Sequence, residues 1–187
     1  MTSEKAKSSF VPARSVVLVG MMGSGKSSIG RRLAARLALP FADSDAEIER
    51  AAGCSVQEFF ARYGEAEFRA GECRVISRLL EGGVMVLATG GGAFIQEDTR
   101  AVIRARGISV WLKADADILI SRVGKGRGRP VLQRQHADPA QAMRELLVVR
   151  EPIYATADIT VVSGNHAPDV TVERIIETLA DQGISGS

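Results

Sequence analysis

The chain predicts an α/β fold: a parallel sheet with helices on both faces. Two observations carry this reading. Short apolar, β-branched runs alternate with amphipathic stretches at helical spacing from residue 15 to residue 180, and no internal repeat interrupts the alternation. The length, 187 residues with 45% apolar side chains, fits one α/β domain with a real core.

The elements follow in order. Residues 15–20 (SVVLVG) read as a buried strand, and a glycine-rich turn follows. Residues 26–38 place Ile29, Leu33 and Leu37 on one helical face and Arg31, Arg32 and Arg36 elsewhere. Pro40 stops that helix. Phe41 and Ala42 lead into Asp43-Ser44-Asp45 at the end of a short second strand. The next forty or so residues are mostly helical; Ser55 is an N-cap with Glu58 completing a capping box. A second amphipathic pattern over 64–81 carries Phe68, Val75, Ile76, Leu79 and Leu80, and Gly82-Gly83 ends it. A third strand over 84–89 runs into Gly90-Gly91-Gly92. A helix over 97–106, a strand over 108–112 and a short helix over 115–123 come next. The run 124–129 (GKGRGR) is glycine and cation only and cannot hold regular structure well. Asp138-Pro139 pairs an N-cap with a first-turn proline opening another helix, which Pro152 would disrupt beyond Arg150. Residues 158–162 form a fifth strand and 169–180 a closing helix.

Bulk properties exclude several classes. A net charge of +2 is too small to argue for a nucleic-acid or membrane partner. No apolar run approaches the roughly 18 residues of a membrane span. The N-terminus has lysines with no apolar stretch after them, so it does not read as a secretory signal, and a cytoplasmic protein is expected. Residues 1–13 are expected as a disordered tail and 183–187 as a C-terminal tail. Cys54 and Cys73 lack CxxC spacing and read as reduced thiols in helical segments.

Gly20-Met-Met-Gly-Ser-Gly-Lys26-Ser27 matches G-x-x-x-x-G-K-[ST], between a strand and a helix. Glycines let backbone N–H groups curl toward an anion, and the helix N-terminus adds its positive end. Lys26 would reach the β- and γ-phosphates, and the Ser27 hydroxyl would coordinate Mg²⁺. In open α/β sheets ligands bind beyond the carboxyl ends of the strands, where this turn, Asp43-Asp45 and the Gly90 run all fall.

A cradle implies a nucleotide without fixing the reaction, so the acceptor must be read from other residues. In an extended segment Asp43 and Asp45 point the same way, one carboxylate assisting Mg²⁺ and the other taking a proton from an attacking hydroxyl. Equally, Ser44 or Asp45 caps the next helix, and the residues leave both readings open. The third strand ends in glycines rather than a metal-binding aspartate, which makes Asp43 the nearest carboxylate for the metal. Arg69 and Arg150 have the planar fork that suits a carboxylate.

Taken together, the chain resembles the shikimate kinase family over about residues 15–180. The motifs are GMMGSGKSS at Gly20, DSD at Asp43, GEAEFRAGE at Gly64, ATGGGA at Ala88, GRP at Gly128 and REPIY at Arg150. The resemblance implies a P-loop fold of the nucleoside-monophosphate-kinase type, with five parallel strands in the order 2-3-1-4-5 and one kinase domain over 14–182. It implies an acceptor-binding region at about 43–72 and a mobile lid at about 123–137. It implies transfer of the ATP γ-phosphoryl group to the 3-hydroxyl of shikimate, a step toward chorismate and aromatic amino acids, by a monomer. Lys26 and the amides of Gly23, Ser24, Gly25, Ser27 and Ser28 would hold phosphates. Ser27, with Asp43 through water, would hold Mg²⁺. Asp45 would bind shikimate hydroxyls and act as base. Arg69, Arg150 and the Gly90, Gly91 and Gly92 region would grip the shikimate carboxylate, and Glu72 would pair with a nearby arginine. Arg129 would close over the phosphates from the lid, and Arg122 would lie beside adenine. The segment His166-Ala167-Pro168 departs from the arginine that family members often carry two residues before the proline. An imidazole there would stack similarly, so His166 joins the expected ATP contacts.

Two rivals share parts of this pattern. A gluconate kinase would keep the cradle and lid without the DSD, FR and TGGG set. A noncatalytic nucleotide- or shikimate-sensing domain would lack catalytic side chains that are present here.

Overall fold

The computed structural model describes residues 11–123 and 138–183. Five strands form one parallel sheet in the order β2-β3-β1-β4-β5. They are β1 (Ser15–Val19), β2 (Phe41–Asp43), β3 (Val86–Ala88), β4 (Gly107–Lys113) and β5 (Ile159–Val162). The expected fold class and strand order are met. β1 lies at the centre, and its five residues are all buried, as a continuous apolar run requires of a strand covered on both faces.

Alternation splits that run between two cores. Val17 and Val19 point to one face with Leu87, Trp111, Phe94 and Tyr154. Val16 and Leu18 point to the other with Val110, Leu112, Ile29 and Ile175. The helices α3 (Val56–Glu81), α4 (Glu97–Arg106), α5 (Ala116–Val123) and α6 (Pro139–Tyr154) serve the first core. The helices α1 (Lys26–Leu37) and α7 (Pro168–Asp181) serve the second.

Register decides where the site can be. Leu18 pairs with Ala88, and Ala88 pairs with Asp43. The chain therefore leaves β1, β2 and β3 at one level and on one edge, which gathers the glycine turn, the aspartates and the Gly90 run.

Several elements differ from expectation. Asp43 and Asp45 do not lie in one extended segment. Asp43 ends β2 and is the N-cap of α2 (Ser44–Ala52), accepting from the backbone N–H groups of Asp45 and Ala46. Neither Ser44 nor Asp45 is the cap; both lie in the first turn. Ser55 and Glu58 form the capping box as expected, helix starts at Val56, and the break falls at Gly64 (φ 80°, ψ 175°), where the second amphipathic pattern was expected to begin. That backbone region is open to glycine alone. Pro152 does not stop α6, which reaches Tyr154. The carbonyl freed by the proline belongs to Val148, which is 75% exposed, so water can serve it. Cys54 sits in the turn after α2 rather than in a helix, and both thiols are free. Pro12 is buried in a β-bridge, so chain with defined contacts starts ahead of the boundary expected at 14. The lid region from 124 and Arg129 lie outside the described residues. Among the described residues no helix is long and apolar enough to cross a membrane.

Candidate active site

A cavity of about 330 Å³ opens over the glycine turn. Gly23, Gly25, Lys26, Ser27 and Ser28 line one side, and Asp43, Thr89 and Arg122 line the other. Gly23 (φ 83°) and Gly25 (φ 92°) hold left-handed backbone, and Gly25 is the N-cap of α1. A Cβ on Gly23 would lie 2.9 Å from Val123 Cγ2, so the turn also sits against α5. Lys26 is 8% exposed. Its Nζ donates to the Gly20 carbonyl at 2.9 Å and the Met21 carbonyl at 2.8 Å. The ammonium is thus folded onto its own loop, within the wall of the cavity.

Ser24 is a partial correction. Its side chain is fully buried, its N–H donates to Met21 O, and its carbonyl accepts from Ser163 Oγ at 2.9 Å. It braces the turn from behind instead of facing the cavity. Ser27 Oγ donates to Asp43 Oδ2 at 2.5 Å, while Asp43 Oδ1 accepts from Asp45 N at 3.1 Å. One carboxylate therefore caps α2 and also fixes the serine at the start of α1.

A second cavity, about 280 Å³, adjoins the first. Asp45, Gly90 and Gly91 line both. Arg69, Glu72, Gly92 and Arg150 complete its polar wall, and Met22, Phe60 and Phe68 its apolar one. The glycines are needed by contact. A Cβ on Gly90 would fall 2.6 Å from Asp45 Oδ1 and 2.9 Å from Glu72 Oε1, and one on Gly92 would run into the Arg69 guanidinium. Gly90 N–H is not free for a ligand, because it donates to Ser44 Oγ at 3.1 Å.

Glu72 is fully buried. Its Oε2 accepts from Arg69 Nη1 at 2.7 Å, while its Oε1 has no hydrogen-bond partner among the described residues. Burial raises its pKa above the usual carboxylate value, and the Arg69 charge opposes that rise. Arg69 is 13% exposed at the side chain, with its guanidinium 5.3 Å from the Phe68 ring centroid and 5.9 Å from that of Phe60. Its Nε also has no partner among the described residues. Arg69 Nη2 meets only the exposed Glu65 at 3.4 Å, and a largely buried guanidinium on the wall of a small cavity suits a carboxylate. Arg150 Nη1 donates to the Gly91 carbonyl at 3.4 Å, and Tyr154 Oη donates to the same oxygen. Burial pushes the Tyr154 phenol up to about 12, so it remains a donor.

On the far side of the turn, Arg122 donates to Gly164 O at 2.7 Å and to Gly23 O at 3.4 Å. His166 is not in either cavity wall; its Nε2 accepts from Gly164 N–H at 3.3 Å and meets Arg174 Nη1 at 3.4 Å. The imidazole holds the loop that Arg122 grips.

Lys26, Ser27, Asp43, Asp45, Arg69, Arg150 and the three glycines are therefore brought to one edge. Thr89, Phe60 and Tyr154 were not singled out from the sequence. Tyr154 closes the REPIY motif and was the most legible of these. Phe60 lies eight residues before the FR motif and across the Gly64 break, and nothing in its spacing marks it.

A shikimate kinase family model matches residues 22–180. The chain is 57% identical to a shikimate kinase of Bradyrhizobium diazoefficiens over 171 residues, covering 91% of this chain and 82% of that one. It is 54% identical to one of Nitrobacter winogradskyi over 93% of this chain and 78% of that one. Its structure is similar to that of a shikimate kinase from Acinetobacter baumannii in complex with shikimate, with a TM-score of 0.87 and 35% identity, covering 94% of this chain and 96% of that one. With a family model over most of its length and relatives above half identity, the chain belongs to the shikimate kinase family.

Proposed function

We propose that this chain transfers the γ-phosphoryl group of ATP to the 3-hydroxyl of shikimate, giving ADP and shikimate 3-phosphate. The observation that carries it is the shared rim: Asp45, Gly90 and Gly91 line both the cavity over the phosphate-binding turn and the cavity of arginines and carboxylates. A phosphoryl group can pass between occupants of the two without crossing the protein. The A. baumannii relative with shikimate bound supports the same acceptor here.

The roles follow from position. The loop amides and Lys26 hold phosphates, with Lys26 exchanging carbonyl contacts for phosphate oxygens. Asp45, at the junction, accepts the proton of the attacking hydroxyl. Arg69 and Arg150 fix the shikimate carboxylate, which orients the ring. Ser27 Oγ and Asp43 Oδ2 are two hard oxygens 2.5 Å apart on the phosphate cavity. That set fits Mg²⁺, which takes one or two protein oxygens beside phosphates and water and neutralises phosphate charge. We place the acceptor-binding region at 43–72 within a single kinase domain.

ADP release should be measured with ATP and Mg²⁺ alone, with shikimate, and with gluconate. Release that depends on shikimate supports the reading. Equal release with gluconate, or binding of both ligands without ADP formation, overturns it.

A further inference from the structure

Behind the acceptor cavity lies another, about 340 Å³, between α2 and α3. Its floor is Ile48, Ala51, Phe59, Phe68 and Val75, and its rim carries Arg74 and Arg78. Among the described residues no carboxylate lines it. Arg74 meets Glu67 at 3.4 Å, both side chains being more than half exposed, so that pair is weak. Arg74 and Arg78 are four apart on a helix, which sets their side chains side by side. Gly71 also lines the cavity, with open space beside it: the nearest atom to a Cβ there is Arg74 Nη2 at 3.7 Å.

We propose that this cavity is a second ligand site, taking an aromatic or cyclic dicarboxylate that changes the affinity of the acceptor site. The apolar floor receives the ring, and the two guanidiniums receive the two anionic groups. The link to the acceptor site is Phe68, which lines both cavities. Phe68 meets Phe59 at 5.9 Å and Phe60 at 4.4 Å, and the Arg69 guanidinium lies over it at 5.3 Å. A ring seated on Phe59 and Phe68 loads the platform that aims Arg69. The break at Gly64 lets the turns carrying Phe59 and Phe60 adjust apart from those carrying Arg69 and Glu72.

Isophthalate is the probe. Calorimetric titration of the full chain with shikimate saturating, which blocks the arginines of the acceptor cavity, should show binding on the order of 1 mM or tighter. The double variant Arg74→Gln/Arg78→Gln should lose it by about tenfold or more. Isophthalate should shift the shikimate KM of the wild type by a few fold and leave that of the double variant unchanged. Both arginines lie outside the acceptor cavity, so the variant keeps its basal activity. No binding under saturating shikimate, or equal inhibition of wild type and variant, overturns the proposal. The coupling arm and the shikimate block rest on the acceptor assignment above; the loss of binding in the double variant does not, so a chain that binds isophthalate through Arg74 and Arg78 but fails to phosphorylate shikimate would sink that assignment alone.

Discussion

Replacing Gly90 by alanine puts a methyl group 2.6 Å from Asp45 Oδ1 and 2.9 Å from Glu72 Oε1. Ordinary contact begins at 3.4 Å, so the Asp45 carboxylate must retreat by about 0.8 Å and that of Glu72 by about 0.5 Å. Gly90 has no left-handed backbone, so alanine strains nothing in the chain itself. The cost therefore falls on buried Glu72 and on Asp45, the carboxylate proposed above to take the hydroxyl proton. A displacement of about 1 Å in a reacting group costs up to about 100-fold in rate, or about 2.7 kcal/mol of barrier. Steady-state ADP formation with shikimate varied should show kcat/KM reduced by about 10- to 100-fold, with Tm lowered by several degrees as buried Glu72 gives way and ATP KM within about twofold. A variant whose kcat/KM for shikimate stays within about twofold of wild type would refute the placement of Asp45 at the acceptor.

Other perturbations separate the remaining parts. The folded pKa of Glu72 is raised above 4.5, so the folded state binds more protons than the unfolded one as pH rises past that value. Wild-type stability should then fall relative to Glu72→Gln as pH climbs from 4.5 toward neutrality; melts at stepped pH check this, and a constant difference would count against a buried, poorly neutralised carboxylate. Tyr154→Phe removes a hydroxyl that pins the Gly91 carbonyl, costing about 0.5–1.5 kcal/mol by denaturant titration and raising the shikimate KM. Ser27→Ala should raise the Mg²⁺ concentration needed for half-maximal rate while leaving shikimate binding, followed by calorimetry, unchanged.

How much was legible from the residues varies with the kind of signal. The cradle could be read because its chemistry is local: glycines, lysine and serine at fixed spacing between a strand and a helix. The capping box at Ser55 and Glu58 was equally local and stands. Asp43 and Asp45 were harder. β2 is three residues long, too short for its alternation to show where the helix begins, and only the structure reveals that the Asp43 side chain caps it. The Gly64 break was legible as the point where a second amphipathic pattern begins, although the backbone angles that make it a break show only in the structure. Glu72 was expected to pair with an arginine, but its unpaired oxygen depends on how α3 packs against the Gly90 turn, which no pattern in one helix contains. The cavity behind Phe68 lies between side chains of two helices, and sequence spacing says nothing about how those helices pack.

The most direct test of phosphoryl passage across the shared rim is the turnover of Asp45→Asn, measured beside its ATP affinity. Loss of a general base predicts a rate reduced by about 100- to 10,000-fold with the ATP dissociation constant close to that of wild type. Near-normal turnover in that variant would contradict the account.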